Sequence, residues 1–277
     1  MGSNRGPFLM TDRFNRILLT GAAGSLGVVL RRGLAPFAKT LRVSDKQDVG
    51  PAGPNEECVS CDLADKEAVH KLVENVDAIV HFGAVSVEAR FEPILQANIV
   101  GVFNVYEAAR KLGVKRVVFA SSNHVTGFYK QTERIDPDSP MRPDGLYGIS
   151  KCFGENLSRF YFDRYGIETV CLRIGSSFPA VRDRRMLATY LSYDDLIELV
   201  RCALFVPGVG HMVIFGASNN AVSWWDNSKA AKLGFKPRDS SEPQRARVES
   251  EQPPPAPTDP VVVYQGGAFV RAGPFDE

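Results

Sequence analysis

Residues 16–27 read Arg16-Ile-Leu-Leu-Thr-Gly21-Ala-Ala-Gly24-Ser-Leu-Gly27, a short apolar strand that runs into a glycine-rich turn. Gly21 lets the chain turn tightly after the strand, because glycine has no Cβ that would forbid a positive φ. Gly24 lets the backbone approach a pyrophosphate, and Gly27 lets the following helix pack against the sheet. That helix directs its N-terminal N–H groups and partial positive charge at the phosphates. The stretch indicates a dinucleotide-binding turn, although glycine triplets also occur in ordinary strand-to-helix turns.

Asp45 supplies context for this motif, since it closes the next predicted strand, Leu41-Arg-Val-Ser-Asp45. It lies near the offset of about 20 residues that is expected for the acidic residue binding the adenosine ribose hydroxyls. A carboxylate there would repel a 2′-phosphate, so the sequence predicts NAD rather than NADP. Lys46 favours NADP, since a cation beside the ribose could accommodate a phosphate. Asp45 is given more weight because it stands at the end of the strand, where the ribose is expected.

Tyr147 and Lys151 carry the predicted chemistry. They are four residues apart in a segment with helical periodicity, so their side chains share one helix face. A phenol has a pKa of about 10, which a nearby ammonium group and a positive nicotinamide ring would both lower. We predict that Tyr147 is the general base of a hydride transfer and that Lys151 lowers its pKa. Ser122 ends the preceding strand, where its hydroxyl can donate to the substrate oxygen.

The same Tyr–Lys spacing is often just a pair on a solvated helix face. The nucleotide-binding motif upstream decides the interpretation in favour of function.

Composition and charge exclude several other classes of protein. The 277 residues are 44% hydrophobic and 23% charged, ordinary values for a globular protein. A net charge of +1 indicates neither nucleic acid nor an anionic membrane as a partner. No apolar run approaches the roughly 18 residues of a membrane span, and no signal-peptide pattern opens the chain. We therefore expect a cytoplasmic protein.

The five cysteines indicate neither a disulfide framework nor a metal site. They are odd in number and scattered, which fits a reducing compartment. Cys58 and Cys61 form a Cys-x-x-Cys motif, but in a strand-like stretch rather than at the start of a helix. No further ligands follow at zinc-finger spacing, and the histidines show no metal-ligand spacing, so we predict no metal.

Short apolar strands alternate with helical segments along the chain. Strands are predicted at 16–20, 41–45, 57–62, 78–83, 116–121, 168–174 and 212–217, and helices at 25–36, 66–76, 92–112, 146–166 and 192–206. Nearly continuous apolar strands are typical of a parallel sheet covered on both faces. Their alternation with helices predicts an α/β protein with a Rossmann-like, doubly wound parallel sheet. Ligands of such sheets bind at the carboxyl ends of the strands.

Three regions are predicted along the chain. Residues 1–13 form a flexible tail, residues 14–177 an NAD-binding Rossmann domain, and residues 178–277 a smaller substrate-binding portion partly interleaved with the sheet. The proline-rich run at 253–257 is a stiff, extended spacer. The apolar residues after it are expected to dock back onto the protein.

Together these motifs resemble those of the extended short-chain dehydrogenases/reductases in the NAD-dependent epimerase/dehydratase superfamily. The matching motifs are Thr20-Gly-Ala-Ala-Gly-Ser-Leu-Gly27, Cys61-Asp62-Leu, His81-Phe-Gly-Ala84, Asn98-x-x-Gly101-x-x-Asn104 and Tyr147-x-x-x-Lys151. Longer runs more closely resemble the bacterial uronate dehydrogenases. These are Gly53-Pro-Asn-Glu-Glu-Cys, Phe119-Ala-Ser-Ser-Asn-His124, the segment Arg142–Asn156, Trp224-Trp-Asp-Asn227 and Gln265-Gly-Gly-x-Phe269. The loop at Phe178–Arg184 departs from the family.

The resemblance implies oxidation of D-galacturonate or D-glucuronate at C1, from cyclic hemiacetal to aldarolactone, with NAD⁺ reduced. It implies Tyr147 as the base, Lys151 as the residue that lowers its pKa and holds the nicotinamide ribose, and Ser122 as the group that polarises the C1 oxygen. The implied cofactor-binding residues are Gly21, Gly24, Ser25, Leu26, Gly27, Asp45, Asp62, Leu63, Phe82, Gly83, Ala84, Asn98, Tyr147 and Lys151. The implied substrate-binding residues are Ser86, Ser122, Asn123, His124, Tyr147, Ser176, Arg185 and Phe269. We also expect a homo-oligomer.

Arg185 and His124 each have an ordinary alternative. A guanidinium can bind the carboxylate of a uronate with two parallel hydrogen bonds, yet Arg185 could equally be a surface arginine beside Arg182 and Arg184. His124 is assigned to binding rather than proton transfer, with a structural histidine bonded to backbone as the alternative.

Three other functions remain open at this point. A sugar-nucleotide epimerase or dehydratase shares the Tyr–Lys pair but needs a larger lobe than the residues after the catalytic helix provide. Another aldose dehydrogenase of the same superfamily would lack the uronate preference. A dinucleotide-sensing regulator would bind cofactor without turnover, which the intact Tyr147 and Lys151 argue against. Fold alone does not decide among them.

Overall fold

The computed structural model describes residues 13–273 and residue 275, which form one seven-stranded parallel sheet with helices on both faces. The strands are β1 (Phe14–Thr20), β2 (Ala38–Asp45), β3 (Glu56–Ser60), β4 (Ala78–His81), β5 (Arg116–Ser122), β6 (Glu168–Ile174) and β7 (His211–Gly216). Their order across the sheet is β3-β2-β1-β4-β5-β6-β7. The strand order reverses between β1 and β4, and this topological switch point is where ligands bind in such sheets. The predicted fold class is confirmed.

The helices are α1 (Ser25–Leu34), α2 (Lys66–Val73), α3 (Phe91–Ile94), α4 (Gly101–Leu112), α5 (Leu146–Tyr165), α6 (Met186–Thr189), α7 (Tyr193–Phe205), α8 (Arg245–Glu251) and α9 (Pro260–Val263). The predicted helix at 66–76 ends early, because Asn75 adopts a left-handed φ of 58°. The predicted helix at 92–112 is interrupted, since a π-helical stretch, Leu95–Val100, separates α3 from α4. Local periodicity does not reveal such an insertion.

The hydrophobic core lies on both faces of the sheet. Side chains alternate along β1, so Leu19 packs on the face covered by α1 and α7, where Leu30 and Leu199 are fully buried. Leu18 packs on the opposite face, in one cluster with Val105 of α4. Because both faces are covered, the strands are apolar almost throughout. Leu18→Ala would lower the free energy of unfolding by about 2–5 kcal/mol.

The C-terminal segment packs back onto the loop after β5. The backbone N–H of Gln131 donates to Val263 at 2.8 Å, and the N–H of Gln265 donates to Tyr129 at 2.8 Å. The Gln265 side chain accepts a hydrogen bond from the Trp225 indole at 2.9 Å. These contacts bring residues 265–269 to the carboxyl edge of the sheet. The predicted domain boundary at residue 177 stays a prediction. The predicted tail lies outside the described residues, except for residue 13.

Cys58 and Cys61 are free thiols, and burial raises the pKa of Cys61 to about 11. Within residues 13–273, no group of histidine, cysteine and carboxylate side chains is arranged to hold a metal ion. None of the described helices is both long and apolar enough to cross a membrane.

Candidate active site

A cleft of about 690 Å³ opens at the carboxyl ends of the strands. It is bounded by the glycine-rich turn on one side and by the returning C-terminal segment on the other. Every predicted site residue except Asn98 lines it, namely Gly21, Gly24, Ser25, Leu26, Gly27, Asp45, Asp62, Leu63, Phe82, Gly83, Ala84, Ser86, Ser122, Asn123, His124, Tyr147, Lys151, Ser176, Arg185 and Phe269. Residues scattered from 21 to 269 thus meet in one space.

The glycine-rich turn has the geometry that its sequence predicts. Gly21 has φ 74°, and a Cβ there would lie 2.5 Å from the backbone of Phe82. A Cβ on Gly27 would lie 2.0 Å from the carbonyl oxygen of Gly21, so only glycine lets α1 pack this closely. Gly24 is the N-cap of α1 and no side chain caps that end. The first N–H groups of α1 are therefore available to a phosphate.

The Asp45 carboxylate is tied to this turn. One oxygen accepts a hydrogen bond from the Ala23 amide at 3.1 Å, and the other accepts from the Gln47 amide at 3.1 Å. Asp62 is held in a similar way by the amide of Ala64 at 2.9 Å. Both carboxylates line the cleft beside the N-terminus of α1. This arrangement of donors and acceptors fits the phosphates and ribose hydroxyls of a dinucleotide.

Asn98 is not among the residues that line the cleft, and its role as a cofactor ligand stays a prediction. Its side-chain oxygen accepts from the Val85 amide at 2.8 Å. Its side-chain nitrogen donates to the Val85 carbonyl at 3.0 Å and to Ser150 Oγ at 2.9 Å. These bonds use both N–H groups of the amide and fasten the loop after β4 (residues 82–90, the β4–α3 loop) to α5. Asn98 lies in the π-helical stretch.

Tyr147 and Lys151 are both buried on the cleft-facing side of α5. The Lys151 Nζ donates to the Ala120 carbonyl at 2.8 Å and lies 5.6 Å from the centre of the Tyr147 ring. Burial lowers the pKa of Lys151 to about 8. Burial also raises the pKa of Tyr147 to about 12, opposed by a hydrogen bond with Ser122. Loss of solvation is the largest cause of this rise. The lowering of the Tyr147 pKa by Lys151 and a bound nicotinamide ring stays a prediction.

Glu88 caps the catalytic helix from another part of the chain. Its two carboxylate oxygens accept from the backbone amides of Leu146 and Tyr147, each at 2.8 Å. A Cβ on Gly145 would lie 2.4 Å from the Glu88 carboxylate, so the glycine makes room for this cap. A carboxylate at a helix N-terminus satisfies free N–H groups and complements the helix dipole. Because Glu88 lies far from α5 in sequence, local capping signals do not identify it.

A buried ion pair lies behind the catalytic helix. Arg173 on β6 donates to Glu155 on α5 at 2.8 and 2.9 Å, and both side chains are almost fully buried. Ser121 at the end of β5 also donates to Glu155 at 2.6 Å. These bonds join α5, which carries Tyr147 and Lys151, to β5, which carries Ser122, and to β6. Nothing in the local sequence marks these charges as paired.

Arg185 is half-buried and lines the cleft. Its Nε donates to the Gln265 carbonyl at 2.6 Å, and one terminal nitrogen donates to Ser176 Oγ at 3.2 Å. The other terminal nitrogen lies 2.6 Å from the Asn123 amide oxygen, in the amide orientation in which Asn123 also donates to Ile174. All these acceptors are neutral, and Arg185 forms no ion pair with any residue of the described chain. Arg184, by contrast, points to Gln252 at 2.7 Å, so the surface-arginine alternative fits Arg184 and not Arg185.

His124 contacts a carboxylate that sequence reasoning did not single out. Its Nδ1 lies 2.7 Å from Asp144 Oδ2, and burial lowers the pKa of the imidazole. The ring stacks on Phe269 with centres 3.7 Å apart and meets the Tyr147 ring edge-on at 5.8 Å. The imidazole bonds a carboxylate side chain, so the alternative of a histidine bonded to backbone is wrong. The one local signal is an acidic residue, Asp144, before a glycine at the start of α5.

A doubly wound sheet whose switch point joins a glycine-rich turn to a buried Tyr–Lys pair defines a Rossmann-type oxidoreductase that uses a nicotinamide dinucleotide. The model of the NAD dependent epimerase/dehydratase family matches residues 17–192. Uronate dehydrogenase of Pseudomonas putida is 63% identical over 269 residues, which cover 97% of this chain and 100% of that protein.

Two solved structures are also similar. Uronate dehydrogenase from Agrobacterium tumefaciens has a TM-score of 0.93 at 53% identity, covering 95% of this chain and 99% of that one. A mutant of that enzyme complexed with NAD has a TM-score of 0.93 at 53% identity, covering 95% of this chain and 100% of that one. The chain belongs to the NAD dependent epimerase/dehydratase family and, within it, to the uronate dehydrogenases. The predicted family and the predicted NAD cofactor are confirmed.

Proposed function

We propose that this protein oxidises D-galacturonate and D-glucuronate at C1 to the aldarolactone, with NAD⁺ as hydride acceptor. The observation that carries the proposal is the guanidinium of Arg185, which forms no ion pair with any described residue and lies in the same cleft as Tyr147 and Lys151. A uronate differs from its parent sugar by one carboxylate, so this cation is what such a substrate needs. The relatives' names point to the same substrate class.

Arg185 has the donors for a carboxylate. A guanidinium carries five N–H groups, and the bonds to Gln265, Ser176 and Asn123 occupy one on each nitrogen. One N–H on each terminal nitrogen is left for a carboxylate, which can accept two hydrogen bonds from one guanidinium. The same bonds hold the side chain in place, so little rotamer entropy is lost when substrate binds.

Tyr147 accepts the proton of the C1 hydroxyl, while C1 becomes the lactone carbonyl. NAD⁺, when bound, accepts the hydride that leaves C1. Because burial raises the pKa of Tyr147 to about 12, the phenolate needs positive charge nearby, and Lys151 is the buried cation on the same helix face. Ser122 donates a hydrogen bond to the C1 oxygen and orients it toward Tyr147. Ser86, Asn123, His124, Ser176 and Phe269 shape the space around the sugar ring.

The test is NADH formation by the purified protein with galacturonate, glucuronate and their neutral parent sugars. We expect turnover with both uronates at a kcat/KM far above that of galactose and glucose. Equal rates with parent sugars would contradict the uronate assignment and favour a general aldose dehydrogenase. NAD⁺ binding without turnover on any aldose acid would favour a dinucleotide sensor, and a co-purifying uridine nucleotide would favour an epimerase.

The predictions of a cytoplasmic location and a homo-oligomer are part of this proposal. The oligomer is tested by light scattering coupled to size-exclusion chromatography.

A further inference from the structure

Asp144 is a buried carboxylate that the reaction described above does not use. Its side chain has no exposed surface, and it precedes α5 by two residues. Oδ2 lies 2.7 Å from Nδ1 of His124, and the Asp144 amide donates to the His124 carbonyl at 3.3 Å. Two bonds therefore join Asp144 to one residue of the cleft wall.

The surroundings of Asp144 are built to admit it. A Cβ on either Gly127 or Gly266 would lie 1.9 Å from Asp144 Oδ2, so both glycines leave the space that the carboxylate fills. The second oxygen, Oδ1, is buried and has no hydrogen-bond partner in the described chain. Burying a carboxylate oxygen without a hydrogen-bond partner is unfavourable, and an apolar side chain would fill the same space at a lower cost in free energy. Packing alone does not explain an aspartate here.

The hydrogen bond to Asp144 decides where the proton of His124 lies. An ionised carboxylate has no proton to donate, so Nδ1 must be the donor. In a neutral imidazole the other nitrogen, Nε2, is then an acceptor. His124 lines the cleft, and its Nε2 has no hydrogen bond to any described residue. Stacking on Phe269 at 3.7 Å fixes the plane of the ring.

We propose that Asp144 is a positioning residue that holds His124 as the Nδ1-protonated tautomer, so that Nε2 accepts a hydrogen bond from a hydroxyl of the sugar ring. The inference rests on the proposed function. In it, two side chains of the cleft recognise different groups of the substrate. Arg185 donates to the carboxylate, and His124 accepts from a hydroxyl. The site then selects a hydroxylated ring and repels a second anionic group at this position, because the Nε2 lone pair faces it.

The tautomer is tested without turnover, by ¹⁵N NMR of the imidazole nitrogens. The chain has four histidines, so a His124→Gln spectrum assigns the signals of His124. We expect a protonated Nδ1 and an unprotonated Nε2 in the wild type. A proton on Nε2 would overturn the proposal, whatever the substrate proves to be.

The role in recognition is tested by kinetics with galacturonate and NAD⁺. Asp144→Ala should lower kcat/KM by about 10- to 100-fold, the effect of misplacing one contact in a cleft. Asp144→Asn keeps an oxygen that accepts from Nδ1, so it should recover most of this loss. An equal loss in both variants would show that Asp144 acts through its charge on Tyr147 or Arg185, and would refute the proposal.

A double-mutant cycle separates positioning from general support of the fold. In a His124→Gln background, Asp144→Ala should change kcat/KM by less than about 2-fold, because its partner is already gone. Full additivity would contradict the proposal. Affinity for NAD⁺, measured by fluorescence titration, should stay near the wild-type value in all variants. If the wild type oxidises no uronate, the proposed function fails by itself, while the NMR result still decides the tautomer.

Discussion

Replacing Arg185 by alanine should reduce uronate oxidation more than oxidation of the parent sugar. The substitution removes the two N–H groups that are free for a carboxylate. A charge-assisted pair of this kind contributes about 1.5–3 kcal/mol, which corresponds to about 10- to 150-fold in kcat/KM for the uronate. This part of the loss requires a carboxylate on the substrate.

The structure adds a second, non-specific part. Arg185→Ala also leaves the Gln265 carbonyl, Ser176 and Asn123 without their donor. Ser176 and Asn123 line the cleft, so the parent sugar should lose some activity as well. The ratio of the two kcat/KM values, uronate over parent sugar, isolates the carboxylate contact from this disturbance. That ratio should fall by about 10-fold or more.

The assay is NADH formation under steady-state conditions, with galacturonate and galactose measured on each variant. Arg185→Lys keeps the charge but lacks two parallel donors, so it should recover only part of the ratio. Arg184→Ala is the matched control, since Arg184 donates to Gln252 and points away from the cleft. If Arg185→Ala lowers both substrates by the same factor, Arg185 is structural and another group must hold the carboxylate.

Four further predictions concern the cofactor, the base and the catalytic helix. Tyr147→Phe should lower kcat by about 10²- to 10⁴-fold with NAD⁺ affinity nearly unchanged, and near-normal kcat in the folded variant would disprove a base at this position. Asp45 should make kcat/KM much higher with NAD⁺ than with NADP⁺, and equal values would show that it does not contact the ribose. Glu88→Gln should weaken the cap of α5 and lower the free energy of unfolding by about 0.5–2 kcal/mol in urea titrations, whereas no change would mean the cap is dispensable. Burial lowers the pKa of Lys151 from 10.5 to about 8, so between these pH values the unfolded chain binds one more proton than the folded protein. The free energy of unfolding should therefore rise with pH in this range. Thermal melts should show this rise in the wild type but not in Lys151→Met.

Much of this protein follows from local sequence. The order of apolar strands and amphipathic helices predicts the parallel sheet, because burial on two faces requires those patterns. The glycines at 21, 24 and 27 predict the turn, and a side chain is excluded at Gly21 by its positive φ and at Gly27 by contact with backbone. Tyr147 and Lys151 share a helix face through spacing alone. In each case the cause acts over a few residues, so the sequence is sufficient.

The contacts that complete the site join residues far apart in the chain, and the tertiary structure alone decides them. Glu88 reaches the N-terminus of α5, and Asn98, in the π-helical stretch, bonds Val85 and Ser150. The pKa of Tyr147 rises because packing removes water from it, an effect that no spacing between residues encodes. Asp144 and His124 come into hydrogen-bond contact only when the chain folds, and this tertiary contact decides whether the buried carboxylate has a partner.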